Sequence, residues 1–462
     1  MLTKYSLDNF KSFSSNQSFD LAKLTLIYGQ NSSGKSSIIQ SLLLLKQTLL
    51  GQDKHAGMQT SGNYIGLASP LSLINKHNSE LDVGLSFSFK NQLSLSDYRN
   101  ELKQSPPFGT SDTRHLSIEY GYSQKGNDSA SFLNELNYCA TQNKSNKTIV
   151  SFCIKNTKNR NLEVDSPSNF HFVERDGNNL FQYLKNKPLT SNNQTDYTNS
   201  LQTAKSDDLY LSNTISLPVK SSNKIAGEAI NSKFDSFFAE VNYELEGIKY
   251  LGPLRSYPKR FYSSRQGKDS IGKSDFSDIF NTSNPSLINK INEWFSKFEI
   301  PYTLSVENVG NNVTGTIISI QLKDNRNNTT VTPADVGFGI GQVLPIIIEA
   351  VICKNSIICV EQPEIHLHPK LQAHLADLFI ESTNAENNNQ WIIETHSEAL
   401  MLRIQRRIRS KSLDKSNVKV VYVQSGDNGS TVQNLPLDDS GKFLVHWPEG
   451  FFEERLHEQF GG

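Results

Sequence analysis

The chain has 462 residues, long enough for two or three domains of ordinary size. Its 46 Lys and Arg nearly balance 47 Asp and Glu, so the formal net charge of -1 excludes a broadly basic surface and confines any nucleic-acid contact to local patches. Four cysteines (Cys139, Cys153, Cys353 and Cys359) are too few and too irregularly spaced for a disulfide framework or a zinc site, and read as thiols of a reducing compartment.

The chain opens on Met1-Leu2-Thr3-Lys4-Tyr5, without the charged-then-apolar pattern of a signal peptide. Leu24-Thr25-Leu26-Ile27-Tyr28 is a short β-rich run that stops at Gly29. From Ser36 the apolar spacing of Ile38, Ile39, Leu42, Leu43 and Leu45 predicts a helix packed on a sheet. Residues 51 to 245 are poor in long apolar periodicity and rich in Asn, Ser, Lys and Gly. Ser123 to Ser131 and Thr190 to Ser200 read as turn and loop material. Within this region Asp82 to Phe89 alternates as a strand with one face inward, and no sustained heptads predict a coiled-coil arm.

The last region is compact again. Leu287 to Phe298 predicts a helix, followed by strands at Tyr302 to Glu307 and Thr314 to Leu322. An apolar helix is expected from Gly341; its run to Cys353 is interrupted by Pro345 and Glu349, so it does not span a bilayer. A buried strand at Ser356 to Val360, a helix from Pro369 and a strand at Trp391 to Glu394 complete the pattern. The expectation is a soluble, cytoplasmic α/β protein with no membrane contact.

Gly29-Gln30-Asn31-Ser32-Ser33-Gly34-Lys35-Ser36 fits GxxxxGK[ST], with Ser37 next in line. A chain of this length meets that pattern by chance only about once or twice in a hundred. Here a strand also leads in and a helix leads out. The glycines let backbone N–H groups curl round phosphates at the positive end of a helix. Lys35 is expected to reach the β- and γ-phosphates of ATP, and the Ser36 hydroxyl to ligate magnesium. A Gly/Ser-rich surface turn is the bland alternative, and the flanking elements weigh against it.

Ile357-Ile358-Cys359-Val360-Glu361-Gln362-Pro363-Glu364 is an apolar run ending in acids, as a buried parallel strand with a ligand crevice at its C-terminal end would be. Glu361 is expected to hold magnesium, directly or through water. Glu364 is the nearest acid to polarise the attacking water, with Gln362 beside Glu361.

P-loop, inserted lobe, glycine-rich segment, carboxylate strand and Glu394-Thr395-His396-Ser397 follow one another in an order that resembles the ABC ATPases of the RecF and SMC type, and particularly the OLD-like ATPases of bacterial defence systems. In size and layout the chain is most similar to the ATPase subunit of the PARIS antiviral system. Leu7-Asp8-Asn9-Phe10-Lys11-Ser12-Phe13 is similar to the family's first strand. Asp335-Val336-Gly337-Phe338-Gly339-Ile340-Gly341-Gln342 looks like its signature, of general form L-S-G-G-Q. Ile365-His366-Leu367-His368-Pro369 falls at the D-loop, and His396 resembles the switch histidine that senses the γ-phosphate. Trp447-Pro448-Glu449-Gly450-Phe451-Phe452 is similar to a small C-terminal domain that closes such ATPases.

The resemblance implies an N-terminal half-core at 1–90, an inserted α+β lobe at 91–245, a second half-core at 246–414 and a small C-terminal domain at 415–462. It also implies a homodimer unit or higher homo-oligomer, because the signature of one subunit (Gly339, Gly341 and Gln342 here) caps ATP held by the P-loop of another. Two departures stand out. Glu361-Gln362 replaces the usual Asp-Glu pair, so either hydrolysis is slow or Glu364 takes over, and Gly339 replaces the signature serine, which leaves fewer hydroxyls to grip the partner's γ-phosphate.

The remaining constellations carry less. His366 and His368 lack a third ligand for a metal. Tyr250-Leu251-Gly252-Pro253-Leu254-Arg255 leads into Lys259, Arg260, Arg265 and Lys268 with Tyr257, Phe261 and Tyr262 between; this suits a single strand, a solvated loop or a protein-docking surface equally. Arg403, Arg406, Arg407, Arg409 and Lys411 suit a solvated helix face first and nucleic acid second. OLD-family nucleases carry a TOPRIM domain after the ATPase, but too few residues follow His396 for one and Asp438-Asp439 reads as a turn, so no nuclease is expected in this chain. Two functions remain: a sensor and scaffold ATPase of antiphage defence that controls a separate effector protein, or a RecF-like ATPase that clamps DNA.

Overall fold

The computed structural model describes residues 1–51, 57–67, 69–90, 112–125, 128–143, 148–156, 170–173, 238–253, 255, 259–263 and 285–448. In chain order these form β1 (Leu2–Asp8), β2 (Gln17–Asp20), β3 (Leu24–Gly29), α1 (Lys35–Leu49), β4 (Val83–Lys90), β5 (Thr113–Lys125), β6 (Asp128–Thr141), β7 (Thr148–Asn156) and β8 (Phe170–Val173). Then come β9 (Ile248–Leu251), β10 (Tyr262–Ser263), α2 (Pro285–Lys297), β11 (Tyr302–Asn308), β12 (Ile317–Asp324), β13 (Thr330–Val331) and α3 (Phe338–Ile352). The chain continues through β14 (Ile357–Glu361), α4 (Pro369–Ser382), β15 (Gln390–Glu394), α5 (Glu398–Arg409), β16 (Val418–Gln424) and β17 (Thr431–Asn434). Residues 1–21, 30–248 and 423–433 make one compact unit, and residues 22–29, 249–422 and 434–462 a second.

The first unit is built on an antiparallel sheet of order β2-β1-β4-β5-β6-β7-β8. Alternation puts Tyr5, Phe87, Leu116 and Tyr138 in register across four strands, all buried. Tyr5 also shares a hydrogen bond of 2.7 Å with Ser41, which fixes α1 on this face. Residues 238–246 are helical. Arg114 of β5 grips Glu240 of this helix with two hydrogen bonds of 2.7 and 2.9 Å, both side chains fully buried. At the end of the same helix Lys46 donates to the carbonyls of Glu246 and Ile248 at 3.1 and 2.5 Å.

Reading Ser123 to Ser131 as loop is corrected. β5 runs on through Lys125 and β6 begins at Asp128, with Ser123 opposite Ala130 and Lys125 opposite Asp128. The pairing of Leu116 with Tyr138 and Ile118 with Leu136 starts a ladder that carries the polar ends with it, and backbone pairing overrides a turn-rich composition. The stretch Thr190 to Ser200 lies outside the described residues.

In the second unit the strands β16, β3, β15, β14 and β9 lie side by side in that order. β3, β15 and β14 are parallel and fully buried, as their continuous apolar runs require, with Thr25, Ile392 and Cys359 in register. Trp391 packs on Phe379 of α4 at 4.6 Å between ring centroids, in a core that also takes Ile346 and Ile347 of α3 and Leu400 and Ile404 of α5. α4 starts where Pro369 supplies its first position and His368 caps it; α5 starts at Ser397, whose hydroxyl accepts from Leu400 N at 3.1 Å. A smaller antiparallel sheet, β10-β12-β11 with β13 against β12, completes the unit. α3 begins at Phe338, three residues before the expected start. Among the described residues no helix is long and apolar enough to cross a membrane.

Candidate nucleotide site

β3 ends at Gly29, whose φ of 148° lets the chain turn out of the sheet at the end of this interior strand. Ser32 follows with φ 63°, and Gly34 with φ 102° stands as the residue before α1. The close bonds of the loop are Ser33 N to Gln30 O at 3.4 Å and Ser37 N to Gly34 O at 3.0 Å. A Cβ on Gly34 would stand 2.4 Å from Ser12 Oγ, 3.2 Å from Ser430 Oγ and 3.3 Å from the ring of Phe13, so only glycine fits. Lys35 is buried and folds across the loop, its Nζ donating to Gln30 O at 2.5 Å. Ser33 is fully buried with no partner for its hydroxyl. No side chain caps α1 and no acid stands in its first turn. Its N–H groups and positive dipole end therefore suit an anion such as a phosphate chain. The residues present thus fit a nucleotide. Gln30 and Asn31 are exposed on the loop, and Ser36 and Ser37 open the helix.

The acids belong to the second unit. Glu361 is the last residue of β14, in register with Glu394 of β15, and both are buried. Tyr250 donates its phenol to Glu361 Oε1 at 3.1 Å, and burial beside that carboxylate pushes the Tyr250 pKa well up. Arg255 donates to the Glu361 carbonyl at 3.1 Å and to Gln342 Oε1 at 3.4 Å, while the Gln342 amide returns a bond to Arg255 O at 3.4 Å. Burial lowers the Arg255 pKa to about 10, against the pull of Glu364.

After Glu361 the chain turns sharply. Gln362 has φ 46° and donates its N–H to Glu394 O at 2.7 Å. His366 follows at φ 62°, and strained backbone of this kind clusters at functional sites. Between them Glu364 reaches across to the end of β15. Thr395 Oγ1 and His396 N each donate to its carboxylate at 2.7 Å, one to each oxygen. Burial raises the Glu364 pKa and these two bonds hold it down in part. Tyr28, the penultimate residue of β3, donates to Ser397 O at 3.0 Å and meets Trp447 edge-on at 5.4 Å, so the strand that feeds the phosphate loop also anchors the histidine turn.

Gly339 lies in the first turn of α3. A Cβ there would stand 3.0 Å from the His366 carbonyl, so a side chain at this position requires that carbonyl to give by a few tenths of an ångström. Gly341 is buried in the same helix. Gln342 is fully buried and exchanges its two bonds of 3.4 Å with Arg255 inside its own unit. His368 caps α4 through Nδ1, which takes the N–H of Lys370 at 3.3 Å.

The basic stretches divide. Arg255 is interior rather than part of a strand-binding surface. Arg260 pairs with Asp335 at 2.5 Å, and Lys259 and Phe261 are exposed. Leu254, Tyr257, Arg265 and Lys268 lie outside the described residues. Arg403 and Arg407 both grip Asp377 of α4, at 2.5 and 2.7 Å, which makes them a staple between helices; Arg406, Arg409 and Lys411 remain exposed. Sequence reasoning missed Ser12, Thr395, Tyr250 and the inward role of Arg255. Ser12 and Thr395 stood inside quoted motifs, whereas nothing local marks Tyr250 or Arg255 as a partner of Glu361.

The sequence-family model described as AAA ATPase domain matches residues 1–401. No curated protein matches the chain. Among solved structures, the Smc head bound to the C-winged helix domain of ScpA is 14% identical with a TM-score of 0.46, covering 95% of this chain and 98% of its own. The SMC head domain from Thermotoga maritima is 11% identical with a TM-score of 0.38, covering 95% and 99%. The Smc head with an extended coiled coil, bound to the C-terminal domain of ScpA derived from Pyrococcus furiosus, is 14% identical with a TM-score of 0.44, covering 94% and 96%.

Proposed function

The chain belongs to the AAA ATPase domain family, and from that premise we propose that it is an ABC-type ATPase that binds ATP and hydrolyses it slowly. Its fold is the α/β fold of P-loop NTPases. The observation that carries the reading is the glycine-only position at Gly34, with Lys35 folded across the loop at the uncapped start of α1. The backbone of Gly29 to Gly34 would cradle the phosphates, Lys35 would reach the β- and γ-phosphates, and Ser36 would hold magnesium. Glu361 is the carboxylate proposed for magnesium or its water, and His396 is the sensor of the γ-phosphate. When bound, the metal neutralises charge that develops on the transferred phosphoryl group.

The same reading proposes a homodimer unit in which the start of α3, with Gly339, faces nucleotide held by a second copy. Hydrolysis would loosen that pair by removing γ-phosphate contacts. Sedimentation of the full chain with magnesium and ATP, a non-hydrolysed analogue or ADP tests this. Association driven by ATP and the analogue but not by ADP, and lost in Lys35→Ala, is the expected outcome; equal association with ADP refutes the dimer.

The domain limits at 90, 245 and 414 are retained as part of this proposal. In the cell we assign the protein a cytoplasmic role as a nucleotide-dependent sensor and scaffold of antiphage defence, acting on a separate effector protein. Near-neutral charge and the loss of Arg255, Arg403 and Arg407 to internal contacts support a protein partner over nucleic acid. Co-purification of a neighbouring gene's product, without salt-dependent DNA binding, is expected; ATP-stimulated DNA binding that weakens with salt would favour a DNA clamp.

A further inference from the structure

We infer that Glu364 is a positioning residue that holds the turn Thr395–His396, and that it is not the base that takes the proton of the attacking water. This deepens the ATPase reading and rests on it. The two oxygens of the Glu364 carboxylate are already divided between the Thr395 hydroxyl and the His396 amide, each at 2.7 Å. A backbone N–H can only donate, so the oxygen facing His396 must stay an acceptor. The Thr395 hydroxyl accepts the N–H of Ser397 at 3.0 Å, and Thr395 is itself fully buried, so the hydroxyl proton points at Glu364. A carboxyl that took up a proton from water would hold one hydroxyl among partners that are both donating. Accepting that proton would therefore require the Thr395 hydroxyl to turn round, giving up the bond it donates and accepting one instead.

The same geometry says what the bonds are for. His396 is the second residue past β15, and its peptide direction is set by three bonds. Thr395 N donates to Ile27 O at 3.1 Å, and the other two are those to Glu364. The residue before Glu364 is Pro363, and the Gln362 N–H is spent on Glu394 O at 2.7 Å. The carboxylate thus ties the turn after β14 to the turn after β15, and whatever shifts one shifts the other.

A neutral amide can replace the carboxylate in this role but not as a base. In Glu364→Gln the amide oxygen would accept from His396 N, while its NH2 would donate to Thr395 Oγ1, which keeps a lone pair for Ser397 N.

The test is steady-state ATP hydrolysis by the full chain, native and carrying Glu364→Gln, Glu364→Ala, Thr395→Val or Thr395→Ser. It is paired with amide hydrogen exchange over the segment that contains His396. Glu364→Gln is expected to keep kcat within about threefold of native with the acid limb of its pH profile in place. Glu364→Ala and Thr395→Val should lower kcat by about tenfold or more with KM for ATP little changed, and Thr395→Ser should restore it. Exchange at His396 should stay slow in native and Glu364→Gln chains and quicken in Glu364→Ala. A loss of kcat on the order of a hundredfold in Glu364→Gln, or a moved acid limb, would overturn the assignment. If Glu364→Ala does not fold, Glu364→Gln together with the Thr395→Val and Thr395→Ser pair decides the matter. A native chain that hydrolyses no ATP refutes the ATPase reading instead, and the exchange comparison still decides whether Glu364 holds the turn.

Discussion

Replacing Gly34 by alanine should separate two costs that coincide in the phosphate loop. Gly34 has φ 102° and ψ 9°, where a side chain costs roughly 1–3 kcal/mol in backbone strain. The new Cβ would also stand 2.4 Å from Ser12 Oγ and 3.3 Å from Phe13, which is fully buried and has nowhere to move. Forcing a methyl into such a site adds typically about 1–3 kcal/mol. Gly34→Ala alone should therefore lose roughly 2–6 kcal/mol against urea and bind ATP far more weakly. Ser12→Ala removes the nearest atom without touching φ. In a cycle of native, Gly34→Ala, Ser12→Ala and the double variant, Ser12→Ala should return about 1 kcal/mol to the alanine chain, and the strain should remain. Equal stability of native and Gly34→Ala chains, or a zero coupling between positions 12 and 34, would refute the argument.

Elsewhere the structure makes further claims. Arg114→Met should destabilise the chain by roughly 3–5 kcal/mol in urea unfolding, because Glu240 would be left buried and charged; Arg114→Met with Glu240→Leu should recover much of that. Burial, aided by Lys4, holds the His115 pKa below its ordinary value, so the native fold favours the neutral ring. The stability this contributes is full above the unfolded value of about 6.5 and lost as pH falls through the depressed native value. Native chain should thus lose more stability than His115→Gln between about pH 7.5 and about pH 5.5, and a parallel fall in both would refute this. Gly339→Ser, although it restores the family's serine, should cost roughly 1–3 kcal/mol by pressing on the His366 carbonyl, and thermal unfolding at or above the native temperature would show that the turn can give way.

Much of the fold was legible because the signals are local. An apolar β run ending in glycine, a phosphate loop and a periodic helix stand within 26 residues of one another (Leu24–Leu49), and β3 and α1 form as that order requires. The carboxylate strand was equally plain, since a parallel strand buried on both faces must be apolar until its end. The polar hairpin of β5 and β6 was misread because its composition is that of loops, whereas its conformation follows from the apolar pairs lower down the ladder.

For the candidate site, the sequence by itself was enough to single out Gly34, Lys35, Ser36, Glu361 and His396 as candidates, each from a local motif. Only the tertiary structure decided what the charged groups around them do. Arg255 lies 87 residues from Gln342 and 106 from Glu361, and only folding turns it from one more basic residue in an aromatic run into an interior tie between them. Glu364 is an acid near a strand end in the sequence, and a carboxylate already committed to two donors in the fold. A side chain's chemistry is fixed by its covalent structure, but its partners are fixed by distance in space, which neighbours along the chain do not report.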